Sequence, residues 1–377
     1  RRPMNPYSRT NLSLLGGWWL SLDRWNIAAL IALAAVGAVL GMAASPPVAE
    51  HLGKDTFYFA QRHIIFLPIA LAGLLAVSAL KPQGVRILAL AVFAGALGFM
   101  ALTLVTGAEI KGATRWVSIA GFSLQPSEFV KPSFAVLSAW LFARWRLGDN
   151  FTGYALAIGL YVLVVLLLLA QPDVGMTILV SIIWGTQFFL AGLPMLLVIA
   201  IGVLFLAGGV FAYFQFAHVQ ARIDMFLDPS GEEAYQVARS LEAFRGGGIF
   251  GVGPGEGHVK EVLPDAHADF IFAVAGEEFG LLMTLMVVAL FAFIVLRGFI
   301  RVFRDQDLFT QLAVAGLLVQ FGLQAIINMA STLNLMPTKG MTLPFISYGG
   351  SSMFALALGM GMVLALTRDS RVPGRPR

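Results

Sequence analysis

The sequence contains no cysteine and little charge. Without a thiol it can form no disulfide, offer no thiolate nucleophile and hold no Cys-ligated metal. Charged residues are 12% of the 377, about half of the roughly 25% usual in a soluble domain. The five histidines (His51, His63, His218, His258 and His267) have no zinc-type spacing such as HExxH, and neither a P-loop nor a nucleophile elbow is present. No solenoid repeat or low-complexity tract interrupts the chain. What dominates instead is apolar: 58% of residues are hydrophobic and the mean hydropathy is +0.81. The length would allow two or three soluble domains, but this excess points to a single membrane bundle. The net charge is +4. Its basic residues flank apolar runs, a pattern that membrane orientation explains and nucleic-acid binding does not.

A transmembrane helix needs ~20 mostly apolar residues. Such runs lie at 26–44, 64–80, 86–106, 128–143, 154–170, 174–190, 195–214, 270–296, 308–332 and 345–367. The expected fold is therefore an all-α integral membrane protein of about ten transmembrane helices. Residues 1–25 form an N-terminal tail, 26–367 the membrane domain, and 368–377 a C-terminal tail. Ala43-Ala44-Ser45 looks like a signal-peptide cleavage site. The long polar segment before it and the nine spans after it favour an anchor. Lys and Arg gather on the side that holds both tails, including Arg24, Arg144, Arg146, Arg297, Arg301 and Arg304. By the positive-inside rule both termini are cytoplasmic. The segments 107–127, 171–173, 215–269 and 333–344 then face outward, the third being a large loop. Within it, Glu232 to Phe244 has amphipathic spacing and reads as a helix lying in the outer interface.

Charge at membrane depth is costly and tends to mark function. Here it clusters near the outer ends of spans, at Glu128, Lys131, Asp173, Asp269, Glu277 and Glu278. A transporter usually places coupling residues near the midplane, so chemistry at the outer surface fits better. Asp269 stands where a polar loop meets an apolar helix. It is either a helix cap or a general base able to take a proton from a sugar hydroxyl. Glu128 and Lys131 share a helix face, either as a simple ion pair or as part of an anion site. In that site Lys111, Arg115 and Lys131 would hold a diphosphate, and Trp116 would stack on a sugar or lie at headgroup level. The glycine run Gly246–Gly257 reads as a flexible connector, or as a backbone cradle for phosphate.

These residues stand in strings that resemble a known family: KGATRW, QPSEFVK, QPDVG, RIDMFLDP, GGGIFGVGPGEG, LPDAHADFIFAVAGEEFG and PTKGMTLPFISYGGSS. Together, in this order and from the first span to the last, they resemble the SEDS proteins (shape, elongation, division and sporulation). The LPDAHADF and PTKGMTLP stretches are more similar to the division member than to the elongation member. The resemblance implies a ten-helix fold and an enzyme that polymerises lipid II into peptidoglycan glycan strands, releasing polyprenyl diphosphate. It further implies a class B transpeptidase and other divisome proteins as partners, at the septum of the bacterial inner membrane, with no nucleic acid involved. The family's essential loop Asp falls on Asp269, and other positions important for activity fall on Trp116, Glu128, Lys131 and Asp173. Lys339, in PTKGMTLP, joins the candidate substrate contacts. Ala268 stands where Thr commonly precedes the Asp. The expected reaction is inverting transfer: an acceptor 4-hydroxyl attacks the anomeric carbon of the donor, and Asp269 takes its proton. Basic side chains, or a divalent cation such as magnesium or manganese, would meet the leaving diphosphate. The rival readings are a lipid II flippase and a non-catalytic scaffold for the transpeptidase.

Overall fold

A computed structural model describes residues 14–106, 108–110, 113–119, 122–148, 152–192, 195–227, 232–263, 265–337 and 340–368. Lys111 and Lys339 lie outside the described residues. Among the described residues, fourteen helices and a small sheet follow in chain order. Ten helices fall on the ten expected spans. They are α2 (Arg24–His51), α3 (Tyr58–Ser78), α4 (Pro82–Thr106), α5 (Pro126–Arg146), α6 (Gly153–Ala170), α7 (Val174–Leu190), α8 (Met195–Gln215), α12 (Ile271–Val302), α13 (Leu308–Thr332) and α14 (Gly350–Leu366). Among the described residues, α2, α3, α4, α6, α12 and α13 are long and apolar enough to cross a membrane by length and composition.

Position in the bundle explains composition. In α3 and α6 only 22% of the most apolar stretch is buried by protein, leaving most of each surface for lipid, whereas in α13 it is 72%. α13 is thus an interior helix, as is α5, which is buried on nearly all sides from Pro126 to Ala143. Polar side chains are tolerated in such helices because protein, not hydrocarbon, surrounds them. Gln187 of α7 bonds to Ser138 of α5 and donates to the carbonyls of Ala135 (2.6 Å) and Leu312 (3.0 Å), tying α7 to α5 and α13.

Two elements of the outward segments take definite form. Within 107–127, β1 (Ala108–Ile110), β2 (Ala113–Ile119) and β3 (Phe122–Leu124) form an antiparallel sheet in the order β1-β2-β3. Thr114, Trp116, Val117 and Ile119 give β2 the branched and aromatic content that strands favour. The loop helix exists as α10 (Glu232–Gly247), but its apolar face docks on the bundle. Phe244 packs on Phe272 at 5.6 Å between ring centroids, and Ser240 Oγ donates to the Thr332 carbonyl at 2.7 Å. Short helices α1 (Leu14–Ser21), α9 (Ala217–Leu227) and α11 (Val259–Val262) complete the set.

The glycine run is a packed seam rather than a flexible connector. α12 is interrupted at Gly280, whose φ of 73° and ψ of −168° no helix accommodates. The backbone groups released by this break are taken up by the glycine segment. Val252 and Gly253 N–H donate to the carbonyls of Glu277 and Glu278, while Leu281 and Leu282 N–H donate to those of Gly248 and Ile249. Side chains at Gly251 or Gly280 would collide with the opposing backbone. Glu277 and Glu278 are buried beneath the seam. Glu277 Oε1 accepts from His258 and Val259 N–H, both at 2.8 Å, and Glu278 Oε1 pairs with Lys260 Nζ at 2.5 Å. At the far end of α12, Arg297 binds both oxygens of Asp23, the N-cap of α2, at 2.9 and 2.8 Å.

Candidate active site

Asp269 is half-buried in a tight turn before α12. The turn closes on Asp265, whose carbonyl accepts from the N–H groups of Ala268 (2.9 Å) and Asp269 (3.0 Å) and whose φ is +51°. The N-cap of α12 is Phe270, one residue beyond Asp269, and no side chain at that cap position bonds to the helix. Three consecutive carbonyls of the turn are held from outside. Tyr348 N–H donates to His267 O at 3.0 Å, Ser347 Oγ to Ala268 O at 2.6 Å, and Asn328 Nδ2 to Asp269 O at 2.9 Å. The segment 340–349 that supplies two of these donors also lies over the carboxylate, where a Cβ on Gly340 would sit 3.2 Å from Asp269 Oδ2.

His267 is buried in an aromatic group, its ring 4.2 Å from Phe59 and 5.4 Å from Tyr348. Burial pushes its imidazole down to about 4, against an opposing pull from Asp265, so at neutral pH it carries no charge.

α13 links Asp269 to the charge pair of α5. Lys131 is 1% exposed. Its Nζ lies 2.8 Å from Glu128 Oε2 and donates to Gln324 Oε1 at 2.9 Å. The structure thus gives the Lys131 charge to Glu128, and a diphosphate contact would require exchanging that partner. Gln324 in turn donates to Thr342 O (3.1 Å) and Ser352 Oγ (3.1 Å). Asn328, one helical turn further on the same face, donates to Met341 O (2.7 Å) as well as to Asp269 O. Glu128 and Lys131 are therefore tied through Gln324 to Thr342, and the Asp269 carbonyl through Asn328 to the neighbouring Met341.

Arg115 and Asp173 make a second cluster. Asp173 Oδ1 caps α7 by accepting from Met176 N–H at 3.2 Å, and its Oδ2 lies 3.5 Å from Arg115 Nη1. Arg115 also donates to the carbonyls of Gln171 (3.2 Å) and Pro172 (2.6 Å), clamping the turn between α6 and α7. The link to the first group runs through the sheet: Ser351 Oγ donates to Ser123 O of β3 at 3.3 Å and accepts from Gln125 N–H at 3.0 Å. Trp116 is half-buried on β2.

Residues 24–372 match the FtsW/RodA/SpoVE family of cell cycle proteins. The chain belongs to this family. It is 46% identical over 363 residues to the probable peptidoglycan glycosyltransferase FtsW of Caulobacter vibrioides, covering 96% of this chain and 93% of that one. Against the FtsW of Trichlorobacter lovleyi, also named a probable peptidoglycan glycosyltransferase, identity is 33% over 351 residues, covering 90% and 91%. Among solved structures, it is similar to a chain from a study of a peptidoglycan synthase complex that coordinates polymerization and crosslinking. The TM-score is 0.76 at 26% identity, covering 93% of this chain and 98% of that one. The rod shape determining protein RodA of Thermus thermophilus matches with a TM-score of 0.68, also at 26% identity, covering 94% and 99%. The motifs that resembled the SEDS proteins thus sit in a SEDS membrane fold.

Sequence reasoning did not single out Gln324, Asn328, Gly340, Thr342 or Ser347 in this family member. A signal was present for two of them, because Gln320, Gln324 and Asn328 recur every four residues in the apolar middle of the helix. Amides on one face of a membrane helix imply polar partners inside the bundle.

Proposed function

We infer that this chain is a peptidoglycan glycosyltransferase that polymerises lipid II into glycan strands during septal wall synthesis. The observation that carries the reading is Asp269. It is a half-buried carboxylate at the junction of polar loop and membrane helix, on a turn anchored at three carbonyls. An acceptor 4-hydroxyl placed against it would lose its proton to the carboxylate as oxygen attacks the donor's anomeric carbon. The donor's bond to polyprenyl diphosphate breaks on the opposite face. General-base assistance of this kind contributes about 10²–10⁴-fold.

The leaving diphosphate needs positive charge. Lys111, Arg115 and Lys339 are the candidates to supply it, Arg115 by exchanging its contact with Asp173, while Lys131 holds Glu128 and Gln324. Among the described residues, no three His, Asp or Glu side chains gather into a metal-binding cluster. Magnesium or manganese, if used, would draw its oxygens largely from the diphosphate. A class B transpeptidase is the proposed partner, supported by the likeness to a chain of a peptidoglycan synthase complex.

The test is purified protein with its transpeptidase partner, incubated with labelled lipid II and resolved by gel. Glycan strands are the expected product. Unchanged lipid II, together with its movement across the bilayer of a sealed vesicle, would favour a flippase instead.

A further inference from the structure

Asp269 is preceded by Ala268, which has no side-chain hydroxyl to orient it. We propose that Asn328 and Ser347 are the positioning residues that hold the Asp269 carboxylate in place, acting through the backbone of its turn. This rests on the reading of Asp269 as the general base.

Asn328 is 2% exposed and sits where both Nδ2 hydrogens meet carbonyls, Asp269 O at 2.9 Å and Met341 O at 2.7 Å. Both partners are acceptors, so only the NH₂ end of the amide can satisfy them. One side chain therefore fixes the distance between the turn that carries the carboxylate and the segment that begins with Gly340. Ser347 adds a second fixed point. Its Oγ accepts from Leu343 N–H at 2.7 Å and donates to Ala268 O at 2.6 Å, which fixes its hydroxyl hydrogen on the Ala268 side. Tyr348 N–H completes the grip at His267 O.

The three donors come from α13 and the 340–349 segment, neither of them adjacent to Asp269 in sequence. Helix α12 does not need them, since its first turn begins beyond the held carbonyls. Gripping three peptide units in a row restricts the rotation that would swing the carboxylate. Asn328 also neighbours Gln324 on the face that contacts Lys131, so the turn that carries Asp269 and the buried charge pair are both tied to α13. Displacement of a catalytic group by about an ångström can cost ~100-fold, which sets the scale of the expected effect.

The experiment measures steady-state polymerisation of labelled lipid II by the full chain with its transpeptidase partner, beside a melting curve. Ser347→Ala should lower kcat about tenfold while KM stays within about twofold, and Ser347→Thr, which keeps a hydroxyl, should recover most of the loss. Asn328→Leu removes two donors at similar volume and should lower kcat by about 10–100-fold with KM again unchanged. A purely structural role would predict lower stability with parental kcat for the folded fraction. That result overturns the proposal, as does a Ser347→Thr no better than Ser347→Ala when both melt like the parent. Where Asn328→Leu does not fold, the Ser347 pair decides alone. Normal polymerisation by Asp269→Asn would sink the base reading itself. An inert Asp269→Asn beside a Ser347→Ala with parental kcat would sink only the positioning role.

Discussion

Gly340 rests against the carboxylate of Asp269, with a φ of +68° and room for a Cβ only 3.2 Å from Oδ2. Backbone conformation and space both call for glycine here. An alanine would force a left-handed conformation, at about 1–2 kcal/mol, and would press on the carboxylate. Gly340→Ala should therefore lower polymerisation about tenfold, consistent with a displacement of a few tenths of an ångström, and reduce stability only modestly. Turnover with labelled lipid II beside a melting curve checks this. Parental turnover would show that the carboxylate has slack.

The membrane helices were legible because their signal is local: a run of ~20 apolar residues identifies itself. The candidate site was legible only in part. Asp269, Glu128 and Lys131 stand out as rare charges in an apolar chain, whereas their supports do not. Lys131 and Gln324 are 193 residues apart in sequence, and nothing local in either reports the other. The glycine seam failed for the same reason. Its role comes from the break at Gly280 in α12, which the sequence between Gly246 and Gly257 does not contain. Docking of α10 against Phe272 likewise depends on a distant surface, which the amphipathic spacing of Glu232 to Phe244 does not identify.

Lys131 and Glu128 form a buried pair, and removing one partner leaves the other charge without compensation, at about 3–5 kcal/mol. Lys131→Met should accordingly lower the melting temperature strongly and turnover by about 10–100-fold, the scale of a lost charge-assisted contact. The double variant Lys131→Met with Glu128→Gln should regain most of the stability. It should not regain turnover, because Gln324 still lacks its ammonium donor and the link towards Thr342 loosens. Recovery of both together would reduce Lys131 to an ion-pair partner.

His267 titrates near 4 in the folded protein against an ordinary value of 6.5. The unfolded chain therefore binds the proton more readily between those values, and folding stability falls as pH drops from about 6.5 towards 4. By pH 5 the loss from this residue amounts to about 2 kcal/mol. Melting curves at pH 7 and pH 5 should show a larger drop for the parent than for His267→Gln, which does not titrate. Equal drops would mean that the folded site accommodates the imidazolium.

Orientation has a direct test, since the chain has no native cysteine to interfere. His258 lies beside the glycine seam with its side chain 88% exposed. A single His258→Cys in intact spheroplasts should react with an impermeant maleimide. Labelling only after the membrane is breached would place the seam in the cytoplasm and overturn the outward orientation of Asp269.

Asp269→Asn separates chemistry from architecture. The N-cap of α12 is Phe270, and the bonds that anchor the turn end on backbone carbonyls, which the substitution leaves in place. Asn is also nearly isosteric with Asp and tolerates cap-like positions about as well. Insertion, transpeptidase binding and melting should therefore match the parent. Asn cannot take a proton at neutral pH, so a loss of about 10²–10⁴-fold in strand formation is expected. Asp269→Glu should also be poor, because the added methylene moves the carboxylate by about an ångström into the space beside Gly340. Labelled lipid II resolved by gel, run next to a melting curve, reads both effects. Normal strands from the Asn variant would remove Asp269 from the chemistry and leave it a structural residue of the turn.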